Sequence, residues 1–382
     1  MNNRERVLTT LARREPDRVP IDLGGVRNTT VHVDGYRRLR AHLGLPPVEP
    51  RIIDRMMQVA YVDEDVLRAL DVDTRTLQLG GPDVSRAADS VVDGVETWLD
   101  EWGVTRIKPA GAAWFDMQGS PLAGQISAAD VARYPLPDPD DAGRYRGLRE
   151  RAEALRETDY AVVLGLPNIC VHVSQYLRGF EDWYMDAAAD PDLFAALLDA
   201  VVEVNAAVAS RALDLVGDLV DVVATSDDLG TQNGLMVSPP FFRKVIKPRL
   251  ARYFDAVKAR TRAPVYFHTC GSVYDIIGDL AEIGVDALNP IQVQAAKMEP
   301  ARLKRDFGNV ISFWGAIDTQ RVLPFGTPDE VAAEVRTRIR ELGAGGGYVV
   351  AAVHNIQSEV PPQNIARMLT AGREFGRYPI EQ

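Results

Sequence analysis

Short runs of β-branched and apolar residues recur along almost the whole chain, each followed by a polar loop and a stretch with helical apolar spacing. That alternation is the signature of βα units around a parallel sheet. Residues 19–23, 74–79, 161–166, 220–225, 265–270, 287–290, 311–315 and 348–353 are the expected strands. They are about eight, the number that closes a TIM (β/α)8 barrel. Between them, 191–217 carries helical spacing, and Thr327-Pro328-Asp329-Glu330 reads as the cap of a helix over 331–342, with two carboxylates at its positive end. Residues 91–108, with Gly94 and Gly103 as turn points, are expected to form a small hairpin inserted outside the barrel. The Pro-rich stretch 135–141 reads as an exposed loop leading into a helix over 145–157. With 382 residues the chain exceeds an ordinary domain, but barrels reach this size by adding N-terminal segments and loops. The expectation is therefore one α/β barrel domain over 1–382, with an N-terminal extension and that inserted hairpin.

In such a barrel the chemistry sits at the C-terminal ends of the strands. The run Ala263-Pro264-Val265-Tyr266-Phe267 ends in His268-Thr269-Cys270, and Gly271 then turns the chain. Residues two apart on a strand point the same way, so an imidazole and a thiolate can grip one cation. The same pair would also serve as a half-buried strand end, its His hydrogen-bonded and its Cys packed. His354, at the end of the last strand, is the best third ligand, since barrel closure brings that strand to the same mouth; without a metal it would be a hydrogen-bonding or acid/base His. Three protein ligands leave a tetrahedral zinc one open position, and a mixed N/S set favours zinc over magnesium or calcium.

Other polar residues collect at the same expected rim. Asp227 and Asp228 follow the fourth strand; they suit orienting a ligand His, acid/base work, or capping a turn before a helix over 241–259. Asp228 is also a candidate fourth ligand. Asn289 and Gln292 follow the sixth strand, Asp318 the seventh, and Asn355 and Gln357 the eighth, while Arg27 follows the first; Arg27, Asn289, Gln292, Asp318 and Gln357 are candidate substrate contacts. In Ile169-Cys170-Val171-His172-Val173, alternation places Cys170 and His172 on one face, with His172 lining the pocket. His32 and His42 are expected at the surface. Gly343-Ala344-Gly345-Gly346-Gly347 reads as a helix C-cap and turn rather than a phosphate cradle.

A net charge of −11 leaves no basic surplus for nucleic acid, and two cysteines, Cys170 and Cys270, make no disulfide framework. No apolar run was expected to cross a bilayer, and the start of the chain lacks a signal-peptide core. A cytoplasmic protein with no membrane partner, open to self-association as a homodimer, is the expectation.

Arg4-Glu5-Arg6-Val7 with Pro16-Asp17-Arg18-Val19-Pro20, then Leu177-Arg178-Gly179-Phe180-Glu181-Asp182, Asp227-Asp228-Leu229-Gly230 with Ser238-Pro239, His268-Thr269-Cys270-Gly271, Trp314-Gly315-Ala316-Ile317-Asp318 and His354-Asn355-Ile356 with Pro361-Pro362-Gln363-Asn364-Ile365 together resemble the uroporphyrinogen decarboxylase superfamily. The similarity is stronger to its zinc-dependent corrinoid methyltransferase branch, and it spans nearly the whole chain. It implies a TIM barrel. In that branch the His-x-Cys pair holds zinc and the third ligand is often a second Cys, whereas this chain has His354 there, as the decarboxylases do. The decarboxylases carry an arginine-containing loop after the first strand, for which this chain supplies only Arg27. The resemblance implies methyl transfer between a small methylated, for example methoxylated, substrate and cobalamin on a separate corrinoid protein. No Asp-x-His-x-x-Gly cobalamin signature occurs in the sequence. The alternatives are a metal-independent decarboxylase using Arg27, Asp228 and His354 on a carboxylated substrate, and a ligand-binding barrel without chemistry.

Overall fold

The computed structural model describes residues 1–380. Seven parallel strands, Thr74–Gln78, Ala161–Asn168, Val222–Ser226, Val265–His268, Ala287–Asn289, Ser312–Ile317 and Tyr348–Ala352, lie side by side in chain order. The expected first strand is shorter than the pattern suggested. Within 19–23 only Ile21 bridges a neighbour, Val350, in parallel. The segment nevertheless closes the barrel: Asp22 N–H donates to the Val350 carbonyl (2.9 Å), Val350 N–H to that of Pro20 (2.9 Å), and Asp73 N–H to that of Ile21 (3.1 Å). It is thus the eighth stave, between the last strand and Thr74–Gln78.

The strands are apolar on both sides because both sides are covered. Ala161, Val163, Val222, Ala224, Tyr266, Ala287, Trp314, Val349 and Ala351 fill the barrel interior together with Val7 and Leu11. The alternate residues Val162, Leu164, Val223, Val265, Phe267, Leu288, Phe313 and Val350 join the larger core under the helices. Val7 and Leu11 belong to the N-terminal helix Asn3–Leu11, whose buried residues include both. The outer layer includes Pro191–Val216, Lys247–Lys258, Pro328–Leu342 and Pro362–Phe375. Thr327 caps Pro328–Leu342 reciprocally with Glu330, and Gly343 to Gly347 make its exit turn, three of them with positive φ. Pro191–Val216, 26 residues long and with an 18-residue window of mean hydropathy 1.7, is long and apolar enough to cross a membrane, which corrects the expectation that no run is. Here it packs on the barrel, 61% of that window buried.

The insertion is larger than a hairpin. Ala88–Val92, Val95–Leu99, Thr105–Lys108 and Asp116–Gly119 form a four-stranded antiparallel sheet. Its first turn, Asp93-Gly94, has positive φ at both residues (52° and 78°), as a type I′ turn requires. The helix expected over 145–157 runs Leu148–Arg156.

Closure rests on a buried carboxylate. Asp73, fully buried, takes Arg6 Nη1 at 2.6 Å, Arg18 Nη1 at 2.8 Å and the Ile21 N–H at 2.7 Å. Replacing it by Ala leaves Arg18 with only a 3.5 Å carboxylate contact to Asp71 and Arg6 with the carboxylate of Asp17 alone, so Asp73→Ala is expected to cost about 3 kcal/mol, read as a lowered urea midpoint.

Candidate metal centre

His268 ends its strand opposite Ser226 on one side and Asn289 on the other. Cys270 lies two residues on, past the end of the ladder, and its Sγ sits 3.3 Å from His268 Nε2. Between them Thr269 is pinned by its N–H to the Asn289 carbonyl (2.7 Å), and its Oγ1 accepts from Leu229 N–H (3.0 Å). Gly271 must be glycine: its φ is +87°, and a Cβ would lie 2.4 Å from the Gly230 carbonyl carbon. His354, two residues past the last strand, faces His268 edge-on with ring centroids 5.2 Å apart. One ligand atom from each of His268, Cys270 and His354 lies within 4.8 Å of the others.

The proton on His268 is assigned by its neighbour. Asn289 Nδ2 donates to the Trp314 carbonyl (2.9 Å), which turns Oδ1 toward His268 Nδ1 at 2.5 Å. That oxygen can only accept, so Nδ1 carries the hydrogen and Nε2 presents its lone pair to Cys270 and the mouth. Burial, then the neighbouring His354, pushes His268 down to about 3, against the opposing pull of Asp228. Burial also lowers His354 and, with Asp228, raises the Cys270 thiol well above its ordinary value. The resting donors are two neutral imidazoles and a thiol.

The two adjacent carboxylates have separate duties. Asp227 is fully buried and accepts the backbone N–H groups of Cys170 (2.6 Å), Val171 (2.8 Å) and His172 (2.9 Å). These open the helix Val171–Arg178, so Asp227, without exposed surface, anchors a helix start. This corrects the catalytic expectation, and the helix it serves is not the one after Pro239, which Ser238 caps (3.4 Å). Asp228 faces the mouth. Its Oδ1 accepts Cys270 N–H (2.9 Å) and lies 3.9 Å from His268 Nε2, while Oδ2 is 3.7 Å from His172 Nδ1. Burial works against its charge, yet its pKa is lowered, with His172 the leading cause and the Cys270 N–H also holding the charged form.

Helix formation at Val171 also overturns the strand-like alternation drawn for Cys170 and His172. Cys170 is buried at the helix cap; His172 points to Asp228, and its Nε2 shares a hydrogen bond with the Tyr176 hydroxyl (2.7 Å). Three expected substrate contacts are occupied within the protein. Asn289 is buried behind His268, Gln292 Oε1 accepts Gly271 N–H (2.7 Å), and Asp318 takes Gln320 N–H (2.7 Å) and Gln294 Nε2 (2.8 Å). Gln357 Nε2 donates to the Asn355 carbonyl (3.0 Å) and is half-buried. His32 is buried, not at the surface, and its Nδ1 accepts Asp34 N–H at the start of helix Val33–His42; His42 is exposed.

Arg27 reaches Ser226 Oγ (2.8 Å) and Asn168 Oδ1. It lines a cavity of ≈ 270 Å³ between the barrel mouth and the inserted sheet, with Asp54, Trp98, Arg106, Asn168 and Tyr176 among the other walls. Those five were missed from sequence. Only Asn168 follows the strand-end rule; Trp98 and Arg106 belong to an insertion whose docking no local pattern announces.

Residues 115–375 match the family model for uroporphyrinogen decarboxylase (URO-D). The chain belongs to this family. It is 27% identical over 199 residues to the methylcobamide:CoM methyltransferase MtaA of Methanosarcina barkeri, a match covering 52% of this chain and 53% of that one. The chain thus spans about half the length of that methyltransferase. It is 25% identical over 274 residues to the uroporphyrinogen decarboxylase of Methylococcus capsulatus, covering 67% and 71% of the two chains. A solved methyltransferase from Methanosarcina mazei shares the fold over 98% of this chain and 99% of that one, with a TM-score of 0.65 and 19% identity. Family membership agrees with the TIM barrel built above.

The division between the two carboxylates is testable by denaturation. Asp227→Ala leaves three buried N–H groups without an acceptor and is expected to remove about 3 kcal/mol or more of stability, whereas Asp228→Asn, which keeps an acceptor for Cys270, is expected to stay within about 1 kcal/mol of the parent.

Proposed function

We propose that this chain is a zinc-dependent methyltransferase, moving a methyl group between a small methylated substrate, for example a methoxylated one, and the corrinoid of a separate cytoplasmic protein. The observation that carries the reading is the convergence of His268, Cys270 and His354 at one point of the mouth. The donor set fits zinc: two nitrogens and one sulfur, with the His268 tautomer fixed by a hydrogen bond from behind. Residues 1–382 would work as one barrel domain. The printed name of the MtaA relative, a methylcobamide methyltransferase, supports methyl transfer involving a cobamide.

Bound there, zinc would supply a Lewis acid for the heteroatom that loses or gains the methyl group. The protein's own residues do the rest. Asn289 keeps His268 from rotating, and Asp228 holds the Cys270 amide. Tyr176 donates its hydroxyl hydrogen to His172 Nε2, which leaves the Nδ1 hydrogen of that ring directed at Asp228. That series of groups keeps Asp228 charged, and so able to accept a proton from the reacting heteroatom. The cavity under the inserted sheet offers room for the substrate body, with Arg27 at its edge, and Gln357 remains a candidate contact on the opposite strand end.

Purified protein is expected to hold about one zinc per chain. Cys270→Ala should lose both the metal and methyl transfer, measured by elemental analysis and by demethylation in the presence of a corrinoid protein. Asn289→Ala should keep the three donors yet weaken zinc binding by about 10- to 100-fold. Arg27 favours one rival: a guanidinium without a carboxylate partner also suits a decarboxylase. Carbon dioxide release from a carboxylated substrate by chelator-treated protein would establish that rival and end the zinc reading.

A further inference from the structure

Tyr266 lies two residues before His268 on the same strand, so its side chain enters the barrel directly below the candidate metal centre. It is 1% exposed, and its hydroxyl has no hydrogen-bond partner. A buried hydroxyl left unpaired is uncommon and costly. The ring does not drift in search of one, because it is held edge-on against Trp314, with centroids 5.2 Å apart at 89°. It forms one wall of a narrow slot that also includes Arg27, Asn28, Gln78 and Ser226. The slot has free room of ≈ 10 Å³, about one oxygen atom. Arg27 stands where this slot meets the outer cavity. Its guanidinium bonds only neutral groups, Ser226 and Asn168, and makes no ion pair among the described residues.

An oxygen-sized space with an unused donor on its inner wall, next to a cation lacking a counter-ion, fits one chemical group. We propose that Tyr266 is a specificity-determining residue, donating its hydroxyl hydrogen to one oxygen of a substrate carboxylate whose charge is met by Arg27. The slot has room for a single carboxylate oxygen. The carboxylate would anchor the far end of the substrate and leave its other end free at the mouth. This rests on the reading that the mouth holds substrate, but it does not depend on zinc.

The test uses the full chain, zinc-loaded and chelator-treated, with acetate as the probe and acetamide as its neutral counterpart. A crystal structure in sodium acetate should place one acetate oxygen on the Tyr266 hydroxyl and the other on Arg27. Water alone at Tyr266, or acetate only elsewhere, would overturn the proposal. In titrations followed by tryptophan fluorescence, Tyr266→Phe should weaken acetate binding about tenfold, the loss of one charge-assisted hydrogen bond, and leave acetamide unchanged. Unchanged acetate affinity in Tyr266→Phe would also overturn it. The variant removes only an unpartnered hydroxyl, so its folding should match the parent, checked by thermal denaturation. If acetate behaves as described while zinc or methyl transfer is absent, the catalytic reading falls and the assignment of Tyr266 stands.

Discussion

Closure of the barrel through its shortest stave is the constraint on which the site depends. His268 and His354 belong to strands three places apart in the sheet. In a flat sheet three steps span roughly 14 Å, yet the two rings lie 5.2 Å apart between centroids. Curling removes most of that gap, and the residues past each strand end lean inward over the rest. The curl is fixed where 19–23 joins the last strand to Thr74–Gln78. Two fully buried carboxylates hold that junction: Asp73, gripped by Arg6 and Arg18, and Asp22, which takes Thr74 Oγ1 (2.5 Å), Thr29 Oγ1 (2.7 Å), Trp314 Nε1 (2.9 Å) and Gly25 N–H (2.9 Å). Asp22 therefore reaches across the interior to the same tryptophan whose carbonyl orients Asn289. A bond at the closure and a bond at the mouth share one residue.

Trp314 sits in a stretch of unusual backbone. Gly315 and Ala316, within strand Ser312–Ile317, both have positive φ, 111° and 83°. For Ala316 this is strained. A Cβ on Gly315 would lie 3.2 Å from Asn289 Nδ2. The left-handed pair thus leaves space for the Asn289 amide to reach the Trp314 carbonyl, and that contact sets the proton position on His268. Strain in one strand is matched by a fixed tautomer on another.

Much of this was legible in the chain. Strand runs announce themselves because burial on both faces demands continuous apolar residues, and His268 with Cys270 stood out because two soft donors at one strand end are rare in a chain with two cysteines. The first stave was also named, and only its length was misjudged: a few backbone bonds and the carboxylates of Asp22 and Asp73 hold it, so it has little regular strand character. Asp227, Asn289, Gln292 and Asp318 were placed at the expected rim, and each has a hydrogen-bonding duty within the protein. A polar residue after a strand can face the mouth or turn back to satisfy the backbone of the next loop, and composition is the same in both cases. Cys170 and His172 failed for a related reason. The apolar alternation was compatible with a strand, and the deciding interaction, Asp227 gathering three N–H groups into a helix start, comes from another strand entirely.

The mouth is electrically divided. On one side Asp228 is the charged group, beside a thiol and two imidazoles that burial keeps neutral, His268 down to about 3 and Cys270 well above its usual range. Neutral imidazoles already present lone pairs, and the thiol is held protonated by burial and by the neighbouring carboxylate, of which the carboxylate also attracts a cation. On the other side Arg27 is a fixed positive charge with only neutral partners. A cation is drawn to the first pole and an anion to the second. A substrate with a negative end would therefore enter in one orientation, its charge toward Arg27 and its other end toward His268, Cys270 and His354. Reversing it would set an anion against Asp228 in a largely desolvated space, where like charges repel far more strongly than in water.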